Sequence, residues 1–577
     1  MTYRETYEQW LASPVLSAEE REELLAVSGD EEEKESRFYA NLAFGTAGLR
    51  GVMGMGTNRM NVYVIRRTTQ AFAQVILDAG EEAVRRGVAI DYDCRNGSER
   101  FAREAASVMA ANGIPVLLFD ALRPTPELSF AIRHYGCIAG INVTASHNTK
   151  EYNGYKVYWS DGAQLPPAQA DAIARYVDQI DVFTGAKTTD YAAALADGRI
   201  RLLGAETDEA FLEKVMGQVC DPQAVPRVAD SFQVIFTPFH GCGRILIPEA
   251  LRRLGVKHLI CVPEQMTADG NFPTVESPNP ENPEGFYLAV DLAKKYGADF
   301  ILGSDPDADR VGIMVRDRNG EFVTVTGNQT GVLMLDYLIR ARRRTGTLPE
   351  NAAFIRSIVT TEMGKAVAEA NGVGAYEGFT GFKYLAEKKN TLEASGEAKV
   401  IMAYEESYGY MLGDYVRDKD AVTASLILTE MAAWYAGQGM TLLDALEACF
   451  EKYGWYAEKT YNLVMPGVTG VAKRRELMAS LRSDPVSEIA GEGVALRRDY
   501  TDGSEFDVDR GKTRQMELRD SDVLSYVLRD GTTVVVRPSG TEPKIKVYLL
   551  ARGSSREDCA EKLLRYGGWA LALRDRV

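Results

Sequence analysis

The stretch VAIDYDCRNGSERFAREAASVMAANGIPVLLFD, residues 88–120, decides the fold. VAIDYD (88–93) is an apolar run too short for a helix and suited to a buried strand. RNGSERFAREAASVMAANG then places apolar residues at helical spacing and stops at Asn112-Gly113, where the chain can leave the right-handed region. IPVLLFD is strand-like again. Strand, helix and strand in this order make a βαβ unit, which implies a mostly parallel sheet with right-handed crossovers.

Working outward, the plan recurs twice without a strict sequence repeat. FQVIFTPF, RILIPEALRRLG and KHLICV form a second unit, continued by DLAKKYG and DFILGSD. FIRSIV, EMGKAVAEANG and VIMAYE form a third, followed by the apolar helix AVTASLILTEMAAWYA. The end of the chain differs. TTVVVRPSGTEPKIKVYLLAR reads as strand, loop, strand, with Lys544, Lys546 and Tyr548 alternating against Ile545, Val547 and Leu549, an antiparallel hairpin in an α+β domain. At the start, the first forty or so residues read as charged helix, with Glu31, Glu32, Glu33 and Lys34 on a solvated face.

At 577 residues the chain has room for about four domains of ordinary size. Its 66 Lys and Arg against 82 Asp and Glu leave a formal charge of −16, which argues against nucleic acid and anionic membranes as partners; an anionic ligand must meet a local basic island. Four histidines are too few for a large His-built metal centre. Seven scattered cysteines without a CxxC pair, and a polar, acidic start, point to a reduced, cytoplasmic protein without a disulfide framework.

In doubly wound sheets ligands gather beyond the carboxyl ends of strands, and four unusual loops fall there. In INVTASHNTKEYNGYKVYW (141–159) a turn after a strand presents Ser146 beside backbone N–H groups that could hold a phosphoryl group, although a serine in a turn is commonly just a turn former. In FILGSDPDADRVGIMV (300–315), Asp305, Asp307 and Asp309 recur at every second residue between two apolar runs, where their repulsion calls for a cation. The loop is no EF-hand, since Arg310 and Arg316 stand where Gly and Glu are required, and Mg²⁺ suits it better than Ca²⁺.

The third region pairs GAYEGFTGFKY (374–384) with VIMAYEESYGYMLGDYVRDKDA (400–421). Glu405 and Ser407 offer an acceptor and a hydroxyl for a polyhydroxylated ligand, with Arg417 and Lys419 adding charge close behind. The fourth is VVVRPSGTEPKIKVY (534–548), where Arg537, Ser539, Gly540 and Thr541 combine a guanidinium, two hydroxyls and a close-approaching amide, a set that suits phosphate as well as a plain turn.

FGTAGLRG (44–51), TASHN (144–148), DPDADR (305–310), EGFTGFK (377–383), EES (405–407) and RPSGTEPK (537–544) follow one another in the chain. With these motifs in this order the sequence resembles the α-D-phosphohexomutase superfamily, the phosphoglucomutase and phosphomannomutase enzymes, over nearly its whole length. The resemblance implies a heart-shaped α/β molecule with a central cleft: three related mixed-sheet α/β domains and a smaller C-terminal α+β domain. The expected divisions are 1–218 with the phosphoserine loop, 219–326 with the metal loop, 327–452 with the sugar loop and 453–577 with the phosphate loop.

By the same resemblance Ser146 is the phosphoryl carrier, and the seryl phosphate joins Asp305, Asp307 and Asp309 around Mg²⁺. Arg50, His147, Lys156 and Arg310 surround the transferring phosphate. Thr380, Gly381, Lys383, Glu405, Ser407 and Arg417 are expected at the sugar, and Arg537, Ser539, Gly540 and Thr541 at the distal phosphate. The serine loop lacks the proline that many relatives carry after His-Asn, and Pro306 and Ala308 replace common glycines. Both features look most like the branch of bacterial phosphoglucomutases of this length and animal phosphoglucomutase 2. Tyr408-Gly409 follows Ser407 where dual-specificity relatives often have Gly-His, so Lys419 becomes the candidate acid or base; as bases, Lys156 and Lys419 would need depressed pKa values, whereas His147 would not.

The implied reaction is the reversible interconversion of glucose 1-phosphate and glucose 6-phosphate through a phosphoserine enzyme and glucose 1,6-bisphosphate. Phosphopentomutase and phosphomannomutase activities, a metal-dependent phosphatase, and a catalytically silent phosphosugar-binding regulator are the alternatives. Small phosphosugars are the expected ligands, and a monomer or weak dimer the expected state.

Overall fold

Strands Val88–Tyr92 and Val116–Phe119 pair in parallel, joined by the helix Ser98–Ala111. This is a computed structural model, and it describes residues 2–45, 48–465, 468–539 and 544–576. The helix buries Phe101, Ala102, Ala105, Ala106 and Met109, the spacing that puts side chains on one face. Burying a side chain the size of Phe101 or Met109 contributes about 1.5–3 kcal/mol. Asn112 ends the helix and Gly113, at φ +76°, turns the chain back toward the sheet.

The first sheet runs Leu49–Val52, Tyr152–Trp159, Ala139–Val143, Val88–Tyr92, Val116–Phe119, Ile200–Leu203. The second runs Phe322–Val325, Val311–Arg316, Phe300–Ser304, Gln233–Thr237, His258–Cys261, and the third Gly374–Gly378, Ala352–Ser357, Lys399–Glu405, Gly409–Leu412. All three are mixed. The reason lies in the loops singled out above: the serine, acidic and Glu-Glu-Ser loops each join two antiparallel neighbours. A parallel return needs a crossover of a dozen or more residues, and these loops are too short for one. Each loop is therefore a hairpin held at both ends, standing where parallel strands deliver their carboxyl ends.

The C-terminal sheet is antiparallel, built around Trp455–Val464, Lys544–Gly553, Thr533–Pro538 and Leu524–Leu528, so the last strand–loop–strand is the expected hairpin. It meets the third unit through a small core in which Ile358, Val359 and Phe379 pack with Tyr500, Val523, Val535 and Tyr548.

The N-terminal segment forms three helices, Tyr3–Leu11, Ala18–Ala26 and Glu31–Phe38, capped by Thr2, Ser17 and Asp30. Tyr7, Trp10, Leu24 and Phe38 join the first domain's core. Lys34 corrects the solvated-face reading: it is buried, paired with Glu31, with its ammonium 5.4 Å from the Tyr7 ring centre. Among the described residues, no helix is long and apolar enough to cross a membrane.

Candidate functional site

Ser146 leaves the strand Ala139–Val143 with φ +52°, a left-handed conformation that costs a non-glycine residue about 1–2 kcal/mol. Its own N–H donates to Thr144 Oγ1 at 2.8 Å, which holds the turn. The serine is buried, and its Oγ donates to Asp305 Oδ2 at 2.8 Å with His147 Nδ1 3.2 Å away. Gly154, on the returning strand, lies so close that a Cβ there would stand 2.4 Å from Thr144 O. Backbone strain recurs at Ala308 (φ +51°) and Tyr408 (φ +64°), in the acidic and Glu-Glu-Ser loops. Three hairpins thus store strain around one cleft, as functional loops commonly do.

Asp305, Asp307 and Asp309 are buried, with carboxylate oxygens within 4.8 Å of one another. Asp305 Oδ1 accepts the backbone N–H of Asp309 and Arg310, at 3.1 and 3.0 Å. Asp307 Oδ1 and Asp309 Oδ1 are buried acceptors with no hydrogen-bond partner. Hard oxygen donors left open in this way suit a divalent metal ion. Burial, then the charges of Asp307 and Asp309, push the Asp305 carboxyl well above the usual range. Burial acts on Asp307 in the same sense, but Lys156, the hydrogen bond with Asp305 and Lys419 outweigh it and hold Asp307 far below. Crowded carboxylates split in this manner because they cannot all ionise side by side.

Two lysines from different domains meet the triad. Lys156 Nζ, from the strand Tyr152–Trp159, lies 2.8 Å from Asp307 Oδ2 and 3.6 Å from Asp309 Oδ2. Lys419 Nζ lies 3.1 Å from both Asp309 Oδ2 and Asp418 Oδ1, while Asp418 Oδ2 accepts from Tyr158 OH at 3.0 Å and Gln164 Nε2 at 3.2 Å. Burial would lower both ammonium groups, but Asp307 and Asp309 for Lys156, and Asp309 and Asp418 for Lys419, raise them. Neither lysine has the depressed pKa that a general base requires: each stands as a fixed positive charge. His147 is the opposite case, since burial and then Arg310 and Arg50 push it well down and keep the imidazole neutral.

A cleft of about 660 Å³ opens in front of these groups. Of the residues expected at the site, Arg50, His147, Arg310, Thr380, Gly381, Glu405, Ser407, Lys419 and Arg537 line it. Arg50 donates to Asn148 at 3.0 Å, Arg310 to Glu281 at 3.2 Å, and Glu405 Oε1 accepts the Gly381 N–H at 2.7 Å. Ser539, whose N–H donates to Lys544 O at 2.9 Å, sits at the end of the described part of its loop; Gly540 and Thr541 lie outside the described residues.

Two expectations are corrected. Arg417 is turned away from the cleft: its Nε donates to Asn390 at 2.6 Å, its NH1 to the carbonyls of Asp414 and Val416, and its own N–H to Ser129 Oγ, so it fastens the third unit to the first. Lys383 is also absent from the cleft wall; its ammonium is buried near the Tyr384 ring, and burial lowers its pKa to about 8.

Models of the phosphoglucomutase/phosphomannomutase family for α/β/α domains I, II and III and for the C-terminal domain match residues 41–183, 209–320, 326–453 and 483–561. The chain belongs to this family. The phosphoglucomutase of Staphylococcus aureus (strain MRSA252) is 36% identical over 537 residues, covering 92% of this chain and 93% of its own. In fold, the family likeness extends to the open form of Paramecium pp63/parafusin at TM-score 0.67 and 19% identity, covering 93% of this chain and 95% of that one. A phosphoglucomutase/phosphomannomutase family protein of Burkholderia thailandensis follows at TM-score 0.64 and 19% identity, covering 93% and 98%.

Sequence reasoning missed several residues of this phosphoglucomutase/phosphomannomutase site. Thr125 donates its Oγ1 to Asp307 Oδ2 at 3.0 Å and its N–H to Asp307 O at 2.8 Å, docking the acidic loop on the first domain. Asp418 was legible only as the neighbour of Lys419. Lys544 and Lys546 line the cleft from one face of the last hairpin, as their alternation with buried residues required.

Proposed function

We propose that this chain is a phosphoglucomutase that interconverts glucose 1-phosphate and glucose 6-phosphate through a phosphorylated Ser146. The observation that carries the reading is Ser146 Oγ hydrogen-bonded to Asp305 at the head of a buried carboxylate triad, behind a cleft lined with cations from all four domains. The phosphoryl group passes from Ser146 to the free 6-hydroxyl of glucose 1-phosphate: the Oγ–P bond breaks, the O6–P bond forms, and the proton leaving the hydroxyl is the one that Ser146 Oγ regains. The resulting glucose 1,6-bisphosphate turns over, and Ser146 takes the phosphate from C1, leaving glucose 6-phosphate.

His147, neutral and 3.2 Å from Ser146 Oγ, carries that proton: as a free base it takes it from the hydroxyl and, as the imidazolium so formed, gives it to Oγ, and the second half-reaction runs the transfer in reverse, from Oγ to the sugar oxygen. Lys156, Lys419, Arg310 and Arg50 face the negative charge of the transferring group, so catalysis here is positioning and electrostatics. Asp305, Asp307 and Asp309 fit Mg²⁺, with the seryl phosphate completing the set, and that ion supplies neutralisation of the transferring phosphoryl oxygens. Glu405, Ser407, Thr380 and Gly381 hold the sugar, while Arg537 with Ser539, Gly540 and Thr541 grip the far phosphate and keep water out.

We take 1–218, 219–326, 327–452 and 453–577 as the working divisions of the molecule. Free cysteines at all seven positions suit a reducing, cytoplasmic setting, and we expect a monomer or weak dimer. The test is a panel of glucose, mannose, N-acetylglucosamine and pentose 1-phosphates with Mg²⁺ and glucose 1,6-bisphosphate as primer. Glucose 1-phosphate should turn over best, and Ser146→Ala should abolish turnover; a fully active Ser146→Ala protein ends the proposal.

A further inference from the structure

Arg95 follows the strand Val88–Tyr92 and takes part in none of the steps above, yet it is the most heavily engaged side chain beside Ser146. Its side chain is wholly buried, with Nε 3.3 Å from the equally buried Asp93. One terminal nitrogen donates to the main-chain oxygens of Ser146 and Asn148, the other to those of Thr149 at 2.8 Å and Tyr152 at 3.1 Å. The four terminal N–H bonds of one guanidinium are thus spent on four carbonyls of a single loop. That loop makes few backbone hydrogen bonds of its own, among them Asn148 N to Ala145 O and Tyr152 N to Thr149 O.

Behind Arg95 stands the second domain. The guanidinium carbon lies 5.1 Å from the centre of the Phe272 ring, Asn96 donates to Asn271 at 2.9 Å, and Gly270 packs so tightly that a Cβ would stand 2.3 Å from Asn96 N. Phe272 is itself buried and held at φ +48°.

We propose that Arg95 is the positioning residue of the serine loop: it holds the left-handed turn at Ser146 by collecting the loop's carbonyls, and through Phe272 it ties that turn to the docking of the second domain. This rests on the reading of Ser146 as phosphoryl carrier. A carbonyl free to rotate would bring its negative end toward the seryl phosphate, whereas one fixed on a buried cation cannot. Only a flat fork with separate donors spans four acceptors in this way; a lysine keeps the charge but offers its donors from one nitrogen.

The experiment compares wild type, Ser146→Ala and Arg95→Lys, incubated with Mg²⁺ and glucose 1,6-bisphosphate. Intact-mass spectrometry follows phosphate on Ser146, a coupled assay follows free phosphate, and steady-state kinetics give kcat and KM for glucose 1-phosphate. Arg95→Lys should lose about 10²-fold in kcat, the effect of a misplaced reacting group, with KM within about threefold because the sugar contacts lie elsewhere. It should also release more free phosphate per turnover. A folded Arg95→Lys protein with wild-type kcat and phosphate release overturns the inference, as does a KM that rises in proportion to the loss of kcat. Should Arg95→Lys not fold, Phe272→Leu loosens the same guanidinium from behind and must lower kcat with KM unchanged; no change overturns the inference. Wild type that never carries phosphate on Ser146 defeats the proposed function itself, whereas phosphorylated wild type matched by Arg95→Lys defeats this inference alone.

Discussion

Lys156→Met removes one positive charge from the carboxylate triad while keeping most of the side chain's bulk. The ammonium stands 2.8 Å from Asp307 Oδ2 and 3.6 Å from Asp309 Oδ2, with all three groups buried. At an effective dielectric of about 20 those separations correspond to attractions of about 6 and about 4.6 kcal/mol, most of which offsets the desolvation of the charges. Removing one partner leaves the carboxylates uncompensated, which costs about 3–5 kcal/mol. At about 2–4 °C per kcal/mol, the metal-free variant should melt about 6–20 °C below wild type. A divalent cation at the triad neutralises the same carboxylates and, without the ammonium beside it, meets less repulsion. The variant should therefore bind Mg²⁺ more tightly, and the gap in melting temperature should narrow when Mg²⁺ is added. Scanning calorimetry of both proteins in EDTA and in saturating Mg²⁺, with a Mg²⁺ titration, checks this. An equal gap in the two conditions, or weaker Mg²⁺ binding by the variant, would refute the assignment of the lysine and the cation to the same carboxylates.

Two further outcomes follow from the packing. Arg417→Met strands Asn390 and two carbonyls without their donor, so it should lower stability by about 1–3 kcal/mol in urea unfolding while KM for glucose 1-phosphate stays within about twofold; a tenfold rise in KM would return Arg417 to the sugar. Glu127 is fully buried with neither carboxylate oxygen hydrogen-bonded and only a long ion pair, 4.0 Å, to Arg123; burial, then Asp208, pushes its pKa well above 4.5. A raised acid adds stability below its unfolded pKa and loses it as pH climbs toward the folded pKa, by up to about 1.36 kcal/mol per unit. Glu127→Gln should therefore stabilise the protein at pH 8 and gain little at pH 4.5; equal gains at both would show that proton uptake is not the cause.

Much of the site was legible because its chemistry sits in short loops whose neighbours are strands. The run from Val88 to Asp120 carries its own periodicities and its own stop at Asn112-Gly113, so strand, helix and strand needed no distant partner. The same holds for the alternation that puts Lys544 and Lys546 on one face of the last hairpin. Sheet direction was less legible: three chemistry-bearing hairpins make the first three sheets mixed, and loop length, not strand composition, is the reason. Lys34 was misread because a charge run says nothing of what will pack against it, here Tyr7 from another helix.

The sequence by itself determined which residues are chemically equipped: Ser146 in a turn, three aspartates at alternate positions, and cations in motifs far apart in the chain. It could not say which cations meet the triad. Arg417 and Lys419 are two residues apart and both cationic, yet one is tied to Asn390 and main-chain carbonyls while the other reaches Asp309. Nor could it pair Lys156 with Asp307, Thr125 with the acidic loop, or Arg95 with four carbonyls of the serine loop. Local propensity acts over a few residues, whereas these contacts join residues far apart in the chain, and those of Lys156, Thr125 and Lys419 depend on how whole domains dock. Burial at those docking faces then decides which charges are held, which are paired and which stay open to the cleft.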